Sequence, residues 1–245
     1  MKRCLDLSLA SLGLVLLSPL LAVLCFLVWL QDFHPPFYIP WRVGRGGVKY
    51  RMVKLRSMVV KADQTGVDST AKSDPRVTRL GKFIRKLKLD ELTQLWNVFK
   101  GEMSLVGPRP NVERETNLYT DVERHLLDVR PGITDLASIV FSDEGEILEG
   151  KHDPDIAYSQ LIRPYKSTLG LLYVTNTNFW LDIKILCLTA LAILSRDQAL
   201  RRLERVVRNL GASEELVRVV SRRYPLVPSP PPGASKVVTA RVATG

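Results

Sequence analysis

Cysteine and histidine are scarce in this 245-residue chain, which has three of each. Cys4, Cys25 and Cys187 are too few, and too apolar in setting, for a disulfide framework or a zinc cluster, and a reducing compartment suits them. His34, His125 and His152 are scattered, which argues against a histidine-based catalytic set. No internal repeat is visible. Apolar content of 46% and charged content of 24% exclude a wholly disordered or collagen-like chain. Charge is missing altogether from residues 7 to 30.

What is present is sharply partitioned. Behind the uncharged start, residues 42–88 carry 14 basic and 3 acidic side chains, residues 89–195 carry 9 and 16, and residues 196–245 carry 10 and 4. A helix over 7–30 would reach roughly 36 Å, enough for a bilayer core of about 30 Å. A cleaved signal peptide fits poorly, because Trp29-Leu30-Gln31 is no small-residue cleavage site. A plain spanning helix and a re-entrant helix remain. Ser18-Pro19 interrupts the run: proline removes a backbone donor, and the Ser18 hydroxyl can satisfy the carbonyl this frees. Lys2-Arg3 before the run and the basic segment after it would both favour the cytoplasmic side, which a re-entrant segment satisfies and a spanning one does not.

Gly44, Gly46 and Gly47 punctuate two β-like runs between 37 and 60, consistent with a hairpin. Residues 61–75 read as a polar loop. Leu80, Phe83, Ile84 and Leu87 recur at helical spacing over 78–88, opposite Arg79, Lys82, Arg85 and Lys86. Such a helix suits either an anionic membrane surface or an ordinary solvated face. A second helix is predicted from Asp90 to Lys100, stopped at Gly101. Further helices are predicted over 111–129, 153–172 and 178–195, the last buried or interfacial. Residues 196–224 form an Arg-rich helical extension, and the Pro-rich 225–245 is expected to be disordered.

Asp90-Glu91 is the central candidate. At a helix N-cap, Asp90 would accept backbone N–H groups and stay ionised, as a nucleophile or metal ligand must. Glu91 beside it could share one divalent cation, and the same helix mouth favours phosphate. An Asp cap followed by a first-turn Glu is also an ordinary helix start. Lys54, Arg56, Arg79, Arg85 and Arg109 supply nearby cations, and Pro108 and Pro110 restrict Arg109.

Residues 76–110, RVTRLGKFIRKLKLDELTQLWNVFKGEMSLVGPRP, resemble the signature block of bacterial sugar transferases, the monotopic phosphoglycosyl transferases that act on polyprenyl phosphate. GRGG at 44–47, KLRSM at 54–58, VRPGIT at 129–134, YVTNTNFWLDIKILCLTAL at 173–191 and the Ser18-Pro19 break match in order, so the resemblance covers about residues 1 to 195. It implies an enzyme taking a UDP-sugar and polyprenyl (undecaprenyl) phosphate to polyprenyl-diphosphate-sugar and UMP, by ping-pong order. This would be the first membrane step of a bacterial glycoconjugate or exopolysaccharide pathway. The resemblance further implies Asp90 as covalent nucleophile, Glu91 as Mg²⁺ ligand, and functional roles for Lys54, Arg85 and Arg109. The chain most resembles the small, bacillosamine-phosphate transferase type. Its implied place is the cytoplasmic face of the bacterial inner membrane, against membrane lipid, with an oligomer compatible.

The fold class expected is mixed α/β and predominantly helical. It comprises a re-entrant membrane helix over 1–30 broken at Ser18-Pro19 and a catalytic domain over 31–195. A small β-hairpin and amphipathic interfacial helices surround the site, and the basic extension and tail follow. One departure stands out: many members read PGITGWAQ where this chain has PGITDLAS, so Asp135, Leu136 and Ser138 leave the donor sugar open. The alternative is a membrane-tethered basic scaffold or lipid-binding protein without catalysis. No nucleic-acid module is recognisable.

Overall fold

The computed structural model describes residues 1–65, 70–71 and 73–240. Part of the polar loop expected over 61–75, and the last residues of the tail, therefore lie outside the described residues. The architecture is predominantly helical with a few short strands, as the sequence leads one to expect.

Helix α1 (Lys2–Leu30) is a single uninterrupted element with Pro19 inside it, so the break expected at Ser18-Pro19 does not divide the helix. The reason is local. Pro19 cannot donate to the carbonyl four residues back, and the Ser18 hydroxyl donates to that carbonyl, Val15 O, at 2.8 Å. One stripe of α1 is buried or half-buried along its whole length, including Asp6, Ala10, Leu24 and Val28. The opposite face exposes apolar side chains throughout, with Val15 71% and Leu16 67% exposed.

The hairpin is nested. Strands β1 (Phe37–Tyr38) and β4 (Lys54–Leu55) pair antiparallel at its base, and β2 (Trp41–Val43) and β3 (Lys49–Arg51) pair antiparallel at its tip. Helix α2 (Arg79–Lys86) starts where the Thr78 hydroxyl accepts from Gly81 N at 2.9 Å. Gly81 is required there: a Cβ would lie 1.8 Å from Ser57 O. Ile84 of α2, Leu55 of β4, and Leu24 and Val28 of α1 make a small second core.

Lys88 adopts a left-handed φ of 53° and separates α2 from a 3-10 turn, Leu89–Gln94, that runs into helix α3 (Leu95–Lys100). Strand β5 (Ser104–Val106) pairs in parallel with β6 (Gly132–Thr134), a pairing that sequence periodicity did not indicate. Between them, the single helix expected over 111–129 is instead α4 (Glu113–Thr116), α5 (Asp121–Arg124) and a further 3-10 turn, His125–Asp128. The Thr120–Glu123 capping box starts α5 afresh, so the charged run is cut into turns.

Beyond β6 follow α6 (Leu136–Val140), α7 (Glu144–Ile147), α8 (Pro154–Leu161), α9 (Arg163–Asn176) and α10 (Phe179–Leu194). The extension forms α11 (Arg196–Asn209) and α12 (Glu214–Ser221). It is no separate unit: Leu203, Val207, Val217 and Val220 join Val106, Leu136, Leu169 and Ile185 in the main core. Residues 225–240 form no helix or strand, yet Val227 O, Pro232 O and Val238 O accept hydrogen bonds from Tyr165, Thr120 and Gln160.

Candidate active site

Asp90 and Glu91 lie in the 3-10 turn and line a cavity of about 900 Å³. Asp90 is buried, with 7% of its surface exposed. It does not serve as a helix N-cap, which corrects the sequence expectation: the left-handed Lys88 holds that position and no side chain caps the turn. Asp90 is instead charge-paired. Lys54 Nζ lies 3.4 Å from Asp90 Oδ2 and 3.9 Å from Glu91 Oε1. Arg109 holds Glu91 with both terminal nitrogens, Nη2 on Oε1 and Nη1 donating to Oε2 at 3.4 Å.

The placement of Lys54 follows from long-range hydrogen bonds. The Asn97 side chain accepts from Val53 N at 2.9 Å and donates to Arg51 O at 2.8 Å. The Thr93 hydroxyl donates to Val53 O at 3.0 Å. These residues belong to α3 and the dyad turn, so the edge of the hairpin is latched to the segment carrying Asp90. Sequence reasoning missed both latch residues. The only available signal was a polar Asn among the apolar residues of α3.

Arg109 is positioned by the parallel pair. Gly107 N donates to Thr134 O and Gly132 N to Pro108 O, each at 3.0 Å. The two backbones approach so closely that a Cβ on Gly132 would lie 2.1 Å from Gly107 N. Arg109 leaves the end of β5, and Asp135 the end of β6, into one cavity. Ligand sites at the carboxyl ends of parallel strands are a general feature of such sheets.

Electrostatics fix the charge states. Burial alone would raise the Glu91 carboxyl, but Arg109, Lys54 and Lys88 outweigh it and hold the group at about 2. The Glu91 charge raises the Arg109 pKa against the effect of burial. Burial lowers the Lys88 pKa, which Glu91 opposes. Lys88, adjacent to the dyad, was not singled out from the sequence, yet it lines the cavity.

Of the predicted cations, Lys54 and Arg109 join the dyad. Arg85 lines the same cavity from α2, but among the described residues no ion pair links it to either carboxylate. Arg56 points elsewhere: it binds Asp32 just beyond α1, Nη2 to Oδ1 at 2.6 Å. Arg79 is exposed and does not line the cavity. Asp135, from the departing PGITDLAS segment, is buried and caps α6, its Oδ1 accepting from Ser138 N at 2.6 Å. Ser18 and Pro19 lie on α1 outside the cavity.

The family model for bacterial sugar transferases matches residues 1–196. The chain belongs to the bacterial sugar transferase family. Among its relatives is a "UDP-galactose-lipid carrier transferase" of Erwinia amylovora, 40% identical over 215 residues, covering 81% of this chain and 41% of that protein. A "UDP-N-acetylgalactosamine-undecaprenyl-phosphate N-acetylgalactosaminephosphotransferase" of Aeromonas hydrophila is 35% identical over 201 residues, covering 79% and 44%. A "UDP-glucose:undecaprenyl-phosphate glucose-1-phosphate transferase" of Klebsiella pneumoniae is 38% identical over 192 residues, covering 77% and 39%. The chain thus spans about two fifths of the length of these curated relatives. Their names carry three different sugars, so family membership alone does not specify a donor.

A divalent metal has a limited donor set here. Among the described residues no group of three or more His, Cys, Asp or Glu side chains gathers as a metal cage. Mg²⁺ commonly uses one or two carboxylates plus substrate phosphates, and an Asp-Glu dyad with Glu91 held ionised fits that habit.

Proposed function

We propose that this protein transfers a phosphosugar from a UDP-sugar to polyprenyl phosphate, releasing UMP, through a covalent intermediate on Asp90. The observation that carries the reading is the buried Asp90 carboxylate lining the cavity, 3.4 Å from Lys54 and next to the Arg109-clamped Glu91. Cations beside a carboxylate let it meet a polyanionic diphosphate without prohibitive repulsion. An Asp90 oxygen attacks the phosphorus that bears the sugar. The new O–P bond forms as the bridging P–O bond breaks, and UMP departs with that electron pair. An oxygen of polyprenyl phosphate then attacks the same phosphorus, the Asp90–P bond breaks, and the carboxylate is regenerated. Lys54, Lys88 and Arg109 hold the phosphates through both steps, and Arg85 widens the cationic rim. Glu91 would hold Mg²⁺, which would supply charge neutralisation for the leaving group.

The placement of α1 supports a monotopic attachment at the cytoplasmic face of the bacterial inner membrane. At one end Lys2 binds Asp182 and Val106 O, and Arg3 binds Val98 O and Phe99 O. At the other, Asp32 binds Arg56. Both charged ends are tied to one folded body, so a spanning orientation would drag that body into hydrocarbon. The exposed apolar face of α1 enters the lipid instead, with Phe83 of α2, Leu87 just after it, and the stacked Trp96 and Phe99 of α3 as further apolar contacts. This brings the cavity to the headgroup level, where a lipid phosphate resides.

The test is UMP release from a panel of UDP-sugars with undecaprenyl phosphate and Mg²⁺, together with trapping of labelled sugar phosphate on the protein. Wild type releases UMP and carries the label. Asp90→Asn loses both, with a fall in rate of at least about a thousandfold, comparable to removal of a nucleophile. Label retained by Asp90→Asn would place the nucleophile elsewhere.

A further inference from the structure

The family match ends at residue 196, yet the chain beyond it is joined directly to the cavity wall. Arg196, the last residue of the match, and Arg222, beyond it, converge on one carboxylate. Arg196 Nη2 lies 2.8 Å from Asp143 Oδ1 and donates to Val140 O at 3.1 Å. Arg222 Nη2 donates to Asp143 Oδ2 at 2.9 Å, and its guanidinium lies 5.7 Å from the centroid of the Phe141 ring. Arg222 ends α12 at a left-handed φ of 52°, a conformation that disfavours a branched side chain. Asp143 occupies the N-cap position of α7 but caps nothing there. Its carboxylate is ion-paired with both arginines and hydrogen-bonded by Arg222. The side chains of Asp143 and Arg222 are 17% and 13% exposed, so the pair is largely shielded from solvent.

The pinned segment is cavity wall. Phe141, Asp143, Glu144 and Glu146 all line the cavity that holds the dyad. Lys166 holds Glu144 from α9, and the Glu144 charge acts on Arg109. Lys54, Lys88 and Arg109 make the cavity attractive to a diphosphate, and the 141–146 segment adds carboxylate oxygens, which accept hydrogen bonds from hydroxyl groups.

We propose that the C-terminal extension is a positioning element for donor recognition. Arg196 and Arg222 fix Asp143, and thereby hold the 141–146 segment, with Glu144, against the hydroxyl-bearing part of the nucleotide sugar. This rests on the phosphosugar-transfer reading above. Arg196 and Arg222 touch no substrate; they act through Asp143.

The test uses the full chain in lipid nanodiscs and compares wild type, Arg222→Gln, Asp143→Asn and the double variant. Steady-state UMP release is measured over several UDP-sugars, and UDP-sugar binding by calorimetry without lipid acceptor. In each single variant, KM and Kd for the preferred donor should rise on the order of tenfold, with kcat within about threefold. The ranking among UDP-sugars should change, and KM for undecaprenyl phosphate should not. The double variant should be no worse than Asp143→Asn, because that change already removes the contact that Arg222→Gln breaks. An equal fractional loss for all donors, a loss confined to kcat, or full additivity would overturn the proposal. If Arg222→Gln fails to fold, Asp143→Asn carries the test, since it leaves the helices of the extension unaltered. If wild type turns over no UDP-sugar, the transfer reading itself fails, and an unchanged Kd in the variants would independently reject the role of the extension.

Discussion

Glu91 illustrates how one residue is set by opposing effects. Removing a carboxylate from water raises its pKa, but three cations around Glu91 reverse that and bring it to about 2, below the ordinary 4.5. Between these values the unfolded chain binds more protons than the folded one. Stability contributed by this group is therefore present above about pH 4.5 and is lost as the pH falls toward about 2. Glu91→Gln should flatten the acid limb of the stability curve in that window, measured by denaturant unfolding at a series of pH values; an unaltered slope would mean Arg109 does not hold the group in solution. The Asp-Glu dyad itself was legible because its two members are adjacent in sequence. Its surroundings were legible only in part. Lys54 and Arg109 stood among five candidate cations and only family resemblance gave them roles, since their contacts with the dyad cross long stretches of chain. Asp90 was misplaced as a helix cap because nothing in the local sequence reveals that Lys88 turns left-handed. Asn97, fully buried, bonds the backbone of Arg51 and Val53 more than forty residues away, and no local pattern encodes that.

At the scale of elements, the parallel pair β5–β6 does most to build the site. Each strand has three residues, too few for alternation to register, and the partners lie far apart in the chain. The sequence showed a short apolar run and a Pro-Gly turn, but not that they pair. Gly132→Ala tests the pair, because the added Cβ would meet the Gly107 backbone rather than a side chain that could move aside. It should cost about 1–3 kcal/mol of stability, as overpacking does, and also lower turnover by displacing the loop that carries Arg109. Thermal unfolding and UMP release on the same preparation would check both, and a stable, fully active variant would refute the linkage. Asn97→Ala tests the second support. It leaves buried backbone groups of β3 and the adjoining chain without partners, at about 1–3 kcal/mol per group, and frees Lys54 from the dyad. Longer elements were legible from sequence, as with α2 and α10, whose apolar spacing or composition extends over several turns. The tail over 225–240 was not, because prolines fix extended backbone without periodicity while its carbonyl oxygens are held by partners distant in sequence.

For the whole molecule, the main question is how a chain with one long apolar helix sits at a membrane. Helix α1 would extend about 43 Å if straight, ample for crossing a bilayer, and its length and hydropathy allow a spanning orientation. Its contacts oppose one. The half-buried stripe along α1 faces the folded body over its full length, through the main core at Leu14 and Leu17 and the second core at Leu24, Cys25 and Val28. Crossing the bilayer would require one of these interfaces to separate and would leave Asp6, with its bonds to Ser104 and Leu105 N, or the Asp32–Arg56 pair, without partners in hydrocarbon. The basic 42–88 segment would work in the same direction, because an anionic leaflet on the side of the body would attract it. Sealed inner-membrane vesicles of defined orientation separate the two topologies. A tag at Met1 and a cysteine at Phe33, which is well exposed just after the helix, should react with membrane-impermeant reagents from the same, cytoplasmic side. Labelling from opposite sides would establish a spanning helix and would require the contacts at one end of α1 to open in the membrane. Replacing Val15 and Leu16 with aspartate supplies the energetic counterpart. Both side chains lie on the exposed face, so the fold should persist while the protein leaves the membrane fraction, and turnover of the lipid acceptor should fall further than binding of the UDP-sugar.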